Sequence, residues 1–173
     1  MKVIILKQNL LEAINIVQKA IMAKATLPIL EGIFIEADEK LKLIGNNFDL
    51  AIEYNLEADI MEKGSIVINA RMFGDIIRKL PDAPVSIEVY DNNKVKIECL
   101  NSYFEIKGMD SSSYPLPPEY KNDITFNISQ ASLKEVIKQT IFAVGTDENR
   151  KIMTGSLIEV DNGEIKIVAL DGF

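Results

Sequence analysis

The chain has 173 residues, 47% of them hydrophobic, with 19 Lys and Arg against 26 Asp and Glu, no His and one Cys. That suffices for one ordinary domain, or a small domain and part of another, around a real core. The net charge of −7 argues against a simple nucleic-acid-binding domain, and the lack of His removes the commonest general base and metal ligand.

Residues 3–6 form an apolar run with the length of a short buried strand. Leu10, Leu11, Ile14, Val17, Ala20 and Ile21 recur at helical spacing, which predicts an amphipathic helix over residues 9–22. Asn9 is its expected cap, with Glu12 as capping-box partner. Pro28 bars helix at Leu27 and is expected to open an extended run. Strands follow over residues 29–36, 41–44 and 50–58, with turns at 38–40 and at Asn46-Asn47. The order strand, helix, three strands then begins again. Residues 65–69 read as a strand and 70–80 as a helix ended by Pro81, with Met72, Phe73, Ile76, Ile77 and Leu80 at helical spacing. Strands are predicted over 85–90, 94–99 and 103–107. Cys99 alternates into one of these and reads as a small buried hydrophobe. Residues 109–122 lack periodicity and hold three serines with Pro115, Pro117 and Pro118, the composition of a linker. Beyond lie a predicted strand over 124–128, a helix over 132–143 and a hairpin over 156–160 and 164–170 that turns at Asp161-Asn162-Gly163.

Residues 3–38 recur without a gap at 126–161, pairing Ile5 with Ile128, Leu10 with Leu133, Ile14 with Ile137, Gly32 with Gly155 and Asp38 with Asp161. Self-similarity at a long period marks an array of like domains. The expected organisation is α+β, with a first domain over 1–122 that includes the linker. An incomplete second domain, its first half only, is expected over 123–173. Such a half leaves a sheet edge and a core uncovered, so swapping, pairing or disorder is expected after about residue 122.

Basic residues favour the helices. Residues 7–24 and 71–80 each carry about +2 and residues 129–140 about +1, so the remainder sums to roughly −12. If the helices lie side by side, their outward cations form a surface able to track a phosphate backbone without reading bases. Otherwise these cations serve solubility alone. There is no Arg- and Asn-rich recognition helix and no aromatic platform for stacking bases. No Cys pair suits zinc, no Gly-rich phosphate loop occurs, and Asp91-Asn92-Asn93 lacks the remaining residues of a calcium loop and reads as a turn. No metal, cofactor or enzymatic activity is expected. With neither a signal-peptide pattern nor a membrane-length apolar stretch, the expectation is a cytoplasmic protein with no membrane partner.

Five segments run in order along the chain: Leu27-Pro28-Ile29-Leu30 with Gly32; Asn46-Asn47-Phe48-Asp49-Leu50; Asn69-Ala70-Arg71-Met72-Phe73 continuing to Pro81; Tyr114-Pro115; and Ala169-Leu170-Asp171-Gly172. Together with the repeat, they resemble the bacterial DNA polymerase III beta-subunit family, the replicative sliding clamps. The resemblance implies a DNA-clamp fold of repeated strand-helix-three-strand halves, with helices on the inner face and antiparallel sheets outside. It implies three like domains in a full-length chain and a head-to-tail homodimer closed as a ring around duplex DNA. The implied role is a non-catalytic processivity subunit that tethers the replicative polymerase without sequence preference. Lys24, Arg71, Arg78, Lys79, Arg150 and Lys151 match DNA-contacting positions, although family members often carry aromatic residues where this chain has Lys151 and Ile152. Met72, Tyr103, Phe104 and Ile106 match the ring interface, and alternation puts Phe104 and Ile106 on one strand face and Tyr103 on the other. Met153, Leu170, Gly172 and Phe173 match the rim of a pocket for peptides of polymerase, clamp-loader and repair proteins. Most of that pocket's walls match nothing in this chain, so such peptides are expected to bind poorly. Without the resemblance, the alternative is a repeat-built protein–protein scaffold with no DNA role.

Overall fold

The alternating apolar runs of the N-terminal part pair as two antiparallel sheets in the computed structural model, which describes residues 1–118 and 125–172. The chain divides into two units, Met1–Glu119 and Tyr120–Phe173. The expected boundary after Asn122 falls outside the described residues.

In the first unit, one half holds β1 (Lys2–Leu6), α1 (Lys7–Val17), β2 (Gly32–Ala37), β3 (Leu41–Asn46), β4 (Ala51–Leu56) and β5 (Asp59–Glu62). The other holds β6 (Gly64–Asn69), α2 (Ala70–Lys79), β7 (Pro84–Val89), β8 (Lys94–Cys99) and β9 (Ser102–Lys107). The sheet orders are β5-β1-β7-β8-β9 and β4-β3-β2-β6. Each half therefore lends its leading strand to the other's sheet. β1 pairs with β7 from Lys2↔Glu88 to Leu6↔Pro84, and β6 pairs with β2 from Gly32↔Asn69 to Ala37↔Gly64. The two helices touch each other, with α1 against β3 and β4 and α2 against β2 and β6. Leu10 and Ile14 of α1 meet Phe73 and Ile77 of α2 and Ile33, Ile35, Ile87 and Ile97 of the sheets in one fully buried core. Gly45 lets β3 pass the end of α1, because a Cβ there would lie 2.2 Å from the Val17 carbonyl oxygen.

The structure moves several expected boundaries. α1 begins at Lys7 rather than Asn9, and its last turn tightens into a 3-10 turn, Gln18–Ala20. β1 runs straight into the helix, so Leu6 occupies the N-cap with extended dihedrals and no side-chain bond, and Asn9 is not a cap. Pro28 opens a 3-10 turn, Pro28–Glu31, because its fixed φ suits the first position of a helical turn. The strand consequently starts only at Gly32. The single strand expected over 50–58 ends at Leu56, and β5, which sequence periodicity missed, follows it to pair with β1 through Val3↔Ile60.

The expected linker is docked over its first part. Met109 bridges Val67, Asn46 Nδ2 donates to the Pro115 carbonyl at 2.7 Å, and the Tyr114 ring lies 5.4 Å from that of Phe34. Leu30, Phe34, Ile44, Val67 and Tyr114 form a small second core on the other face of the four-stranded sheet. The Tyr114 hydroxyl donates to the Ile44 carbonyl at 3.4 Å. Burial pushes this phenol up to about 12, against a lowering hydrogen bond from the Asn46 backbone.

In the second unit α3 (Gln130–Thr140) and a following 3-10 turn, Ile141–Ala143, occupy the positions that the repeat assigns to α1 and its 3-10 turn. Ser129 caps α3, its Oγ accepting from the Ser132 N–H at 3.0 Å. β10 (Leu157–Asp161) and β11 (Glu164–Val168) pair across Asn162 and Gly163, whose φ values of 49° and 80° suit a two-residue hairpin turn. The strand expected over 124–128 is not formed at residues 125–128, and Ile124 lies outside the described residues. β1, its counterpart in the repeat, is held between β5 and β7, and β10 and β11 pair only with each other among the described residues. No described residue of α3 or β10 is buried, and Ile141, Phe142, Leu157 and Ile158 are each more than half exposed.

Asn69 caps α2, its Oδ1 accepting from the Met72 N–H at 3.1 Å. Asn69→Ala is expected to lower the unfolding free energy by about 1 kcal/mol, read from denaturant titration. The native state holds the Tyr114 proton more tightly than the unfolded chain, so its contribution is complete below pH 10 and is lost as pH rises through about 12. That loss is expected to reach roughly 2–3 kcal/mol in alkaline titrations of stability. Tyr114→Phe should lack this component while costing about 1 kcal/mol at neutral pH.

Candidate nucleic-acid interface

α2 buries Ala70, Phe73, Gly74 and Ile77, a spacing of one helical face. The opposite side therefore presents Arg71, Met72, Asp75, Arg78 and Lys79, all exposed. Arg78 and Lys79 sit in the last turn, where cations complement the helix dipole. Arg78 Nη1 donates to Asp75 Oδ1 at 2.8 Å. The i,i+3 spacing of Asp75 and Arg78 on one helix face is the sequence signal for this pair.

α1 buries Leu10, Ala13, Ile14 and Val17 and exposes Gln8, Asn9, Glu12 and Asn15, with Lys19 exposed in the following 3-10 turn. Lys7 does not join a positive face. It is half-buried, and its Nζ donates to the Leu80 carbonyl at 2.6 Å, closing the C-terminal end of α2. The positive charge expected over residues 7–24 thus rests on Lys19 and Lys24 against Glu12. Gln18 Nε2 donates to the Ala70 carbonyl at 2.5 Å and ties the end of α1 to the start of α2. A cleft of about 510 Å³ opens at these helix ends, where Gln18, Ile21, Arg71, Asp75 and Arg78 are among the lining residues. Lys24 is exposed in the loop between the two 3-10 turns of this half.

Charge is sorted between helices and sheets. Lys2 pairs with Glu88, Lys42 with Glu36, Lys94 with Glu105 and Lys96 with Glu98, while Lys40 and Lys63 pair with Glu57 and Asp38. The hydrogen bonds that Lys42 and Lys96 donate to the Glu36 and Glu98 carboxylates hold their ammoniums above the ordinary lysine pKa. Lys107 Nζ donates to the Asn92 carbonyl. Among the described residues of the first unit, Lys19, Lys24, Arg71 and Lys79 make none of these ion pairs. All four belong to helices or to the loop that follows α1.

β9 pairs only with β8, so its outer edge is open. Phe104 and Ile106 lie opposite buried Ile97 and Val95, on the helix side of the sheet. Ile106 packs against the main core, whereas Phe104 is 38% exposed. A groove of about 400 Å³ between α2 and β9 brings Met72, Ile76 and Phe104 together, with Arg71 and Lys79 also lining it. Tyr103 stands on the opposite face, opposite Glu98, with Lys96 Nζ 5.9 Å from its ring centroid. The structure thus joins Met72 with Phe104 and sets Tyr103 apart from them.

In the second unit, Arg150 interrupts the 3-10 segment Glu148–Thr154 with φ −114° and ψ 61°. Arg150 and Lys151 are exposed, and Ile152 is 87% exposed. A Cβ on Gly172, which has a φ of 89°, would come within 3.3 Å of Arg150 Nη1, so these two expected site residues are neighbours. Met153 is half-buried, its carbonyl accepting from the Gly145 N–H at 2.8 Å, and Leu170 is half exposed. Phe173 lies outside the described residues. No group of His, Cys, Asp and Glu among the described residues is arranged to hold a metal.

Residues 1–118 match the family model described as DNA polymerase III beta subunit, N-terminal domain, and residues 127–173 match its central domain. The chain is 37% identical over 180 residues to the beta sliding clamp of Bacillus subtilis, covering 99% of this chain and 48% of that protein. Against the beta sliding clamp of Halalkalibacterium halodurans it is 36% identical over 167 residues, covering 91% and 44%. The crystal structure of the B. subtilis DNA polymerase sliding clamp superposes with a TM-score of 0.94 at 36% identity, over 99% of this chain and 47% of that one. The chain thus spans about half the length of the curated relatives it matches. Its α+β architecture is that of the clamp fold, and the chain belongs to the DNA polymerase III beta-subunit family.

Proposed function

We propose that this chain supplies the first clamp domain, residues 1–122, and part of the second, residues 123–173, of a ring that encircles duplex DNA and tethers a replicative polymerase. The observation that carries this reading is the sorting of charge. In the first unit the strand cations Lys2, Lys42, Lys94 and Lys96 are matched by carboxylates and Lys107 is bound to a backbone carbonyl, while Lys19, Lys24, Arg71 and Lys79 on the helix side make no ion pair among the described residues. Unpaired, exposed cations without a base-reading surface suit sequence-independent contact with phosphates. Arg78 joins them when it leaves Asp75, and Arg150 and Lys151 of the second unit are assigned phosphate contacts of their own. The role needs no catalysis: the ring holds by topology, and weak contacts leave it free to slide.

The ring joint is assigned to the open edge of β9 and the groove beside it, with Met72 and Phe104 as its apolar centre and Ile106 supporting them from the core. Tyr103 reaches such a partner only from the outer face of the sheet. An unpaired strand edge with apolar neighbours invites another strand, here a second copy of the full-length protein in head-to-tail arrangement. Met153, Leu170, Gly172 and Phe173 are assigned to the rim of a pocket for polymerase, clamp-loader and repair peptides. A cytoplasmic location accords with this role, and no helix among the described residues is long and apolar enough to cross a membrane.

After loading, the full-length protein is expected to remain on nicked circular DNA and to be lost once the circle is cut; equal retention on both forms would refute a topological tether. A Lys24→Ala/Arg71→Ala/Lys79→Ala variant should bind duplex more weakly, with a log–log salt slope flatter by about 0.9 for each phosphate contact removed. Phe104→Ser should raise the dimer dissociation constant of the full-length protein by about tenfold or more in sedimentation experiments, with little change in Tm.

A further inference from the structure

Asp75 is the one carboxylate on the exposed side of α2, with Arg71 one turn before it and Arg78 and Lys79 one turn after. It lines both the cleft at the helix ends and the groove beside β9. Helix stability does not account for it. The first turn of α2 contains no acidic residue, and Asp75 lies mid-helix, beyond the reach of the favourable N-terminal dipole. Asp is also a poor helix former at such a position. Its bond to Arg78 joins two side chains that are each about half exposed, at 54% and 52%, so the pair is weak and exchangeable. What Asp75 does supply is a negative charge 2.8 Å from the Arg78 guanidinium, which is itself half exposed to solvent.

We propose that Asp75 acts as a resident competitor for phosphate, occupying Arg78 in an exchangeable ion pair so that the α2 face holds a duplex loosely and moves along it. The proposal rests on α2 facing phosphates. A backbone phosphate that approaches Arg78 displaces the Asp75 carboxylate, and as the phosphate leaves, the carboxylate takes its place. Arg78 therefore passes between successive phosphates without being left unpaired, which flattens the electrostatic profile along the DNA. Lys19, Lys24, Arg71 and Lys79 lack such a carboxylate and provide the steady part of the attraction.

The test uses the full-length protein with Asp75→Asn, and Asp91→Asn as a control. Asp91 is exposed in the β7–β8 turn, so the control makes the same change in net charge away from the helix face. Asp75→Asn is expected to bind linear duplex roughly fivefold tighter at 0.1 M salt, with a salt slope steeper by about 0.9, one extra phosphate contact. Once loaded, it should diffuse several-fold more slowly along DNA in single-molecule tracking. In an Arg78→Ala background the same substitution should change neither quantity. Circular dichroism verifies that each variant is folded. Equal behaviour of Asp75→Asn and Asp91→Asn would overturn the proposal, as would an undiminished effect without Arg78. If removing Lys24, Arg71 and Lys79 leaves duplex binding unchanged, the reading of the helix face itself fails. If that removal weakens binding while Asp75→Asn is silent, only the role of Asp75 fails.

Discussion

Neither half of the first unit can complete its own sheet, and everything else in the unit follows from that constraint. β1 sits beside β7 and β6 beside β2, so one sheet joins two strands of the first half to three of the second, and the other joins one strand of the second half to three of the first. The exchange forces the apolar faces of both sheets and both helices into one core, where Leu10, Ile14, Phe73 and Ile77 meet. α1 and α2 therefore lie side by side because their flanking strands are crossed, and Gln18 needs only one hydrogen bond to fix their ends. The second unit has a matching helix and hairpin but no exchanged strand among its described residues, and there no described residue of α3 or β10 is fully buried.

Much of this was legible in local pattern. The apolar spacing of residues 70–80 located α2 to within a residue, and β8 has the predicted bounds. The gapless repeat foretold a helix in the second unit like α1, whereas the 3-10 turn that ends each of them carries no signal in the apolar spacing. What escaped was set by distant partners. β5 is short, with three of its four residues exposed, and is a strand because β1 offers it an edge. Residues 109–115 look like linker because their anchors are scattered and distant in sequence: the Met109 bridge to Val67, the Pro115 carbonyl on Asn46, and a single aromatic, Tyr114, on the back of a sheet. Asn9 has the right chemistry for a cap, yet β1 delivers the chain into the helix two residues earlier.

The candidate surface shows the same division. Composition indicated that cations favour the helices, but not which of them were already engaged. Lys7 closes a helix end and Arg78 is bound by Asp75, whereas the sheet lysines meet carboxylates on their own or neighbouring strands. Cross-strand and same-face neighbours on a sheet lie about 5 Å apart, so alternating charges neutralise one another there. Arg71 and Lys79 are two helical turns apart, too far to share a counter-ion. Most strand lysines of the first unit are thus neutralised where they stand, whereas Lys19, Lys24, Arg71 and Lys79 on and beside the helices make no ion pair.

The crossed strands also give the unit a timetable. β1 is synthesised before both of its partner strands, and it gains its second neighbour only when the chain has been made through Val89. Pairings so distant in sequence form slowly, and until they close the early strand is an unsatisfied edge. α1 rests on local contacts and can be helical long before then. Its alignment with α2 cannot, so the cationic side of the protein is assembled late, and a nascent chain stalled between the two helices carries Lys19 and Lys24 without the surface to which they belong.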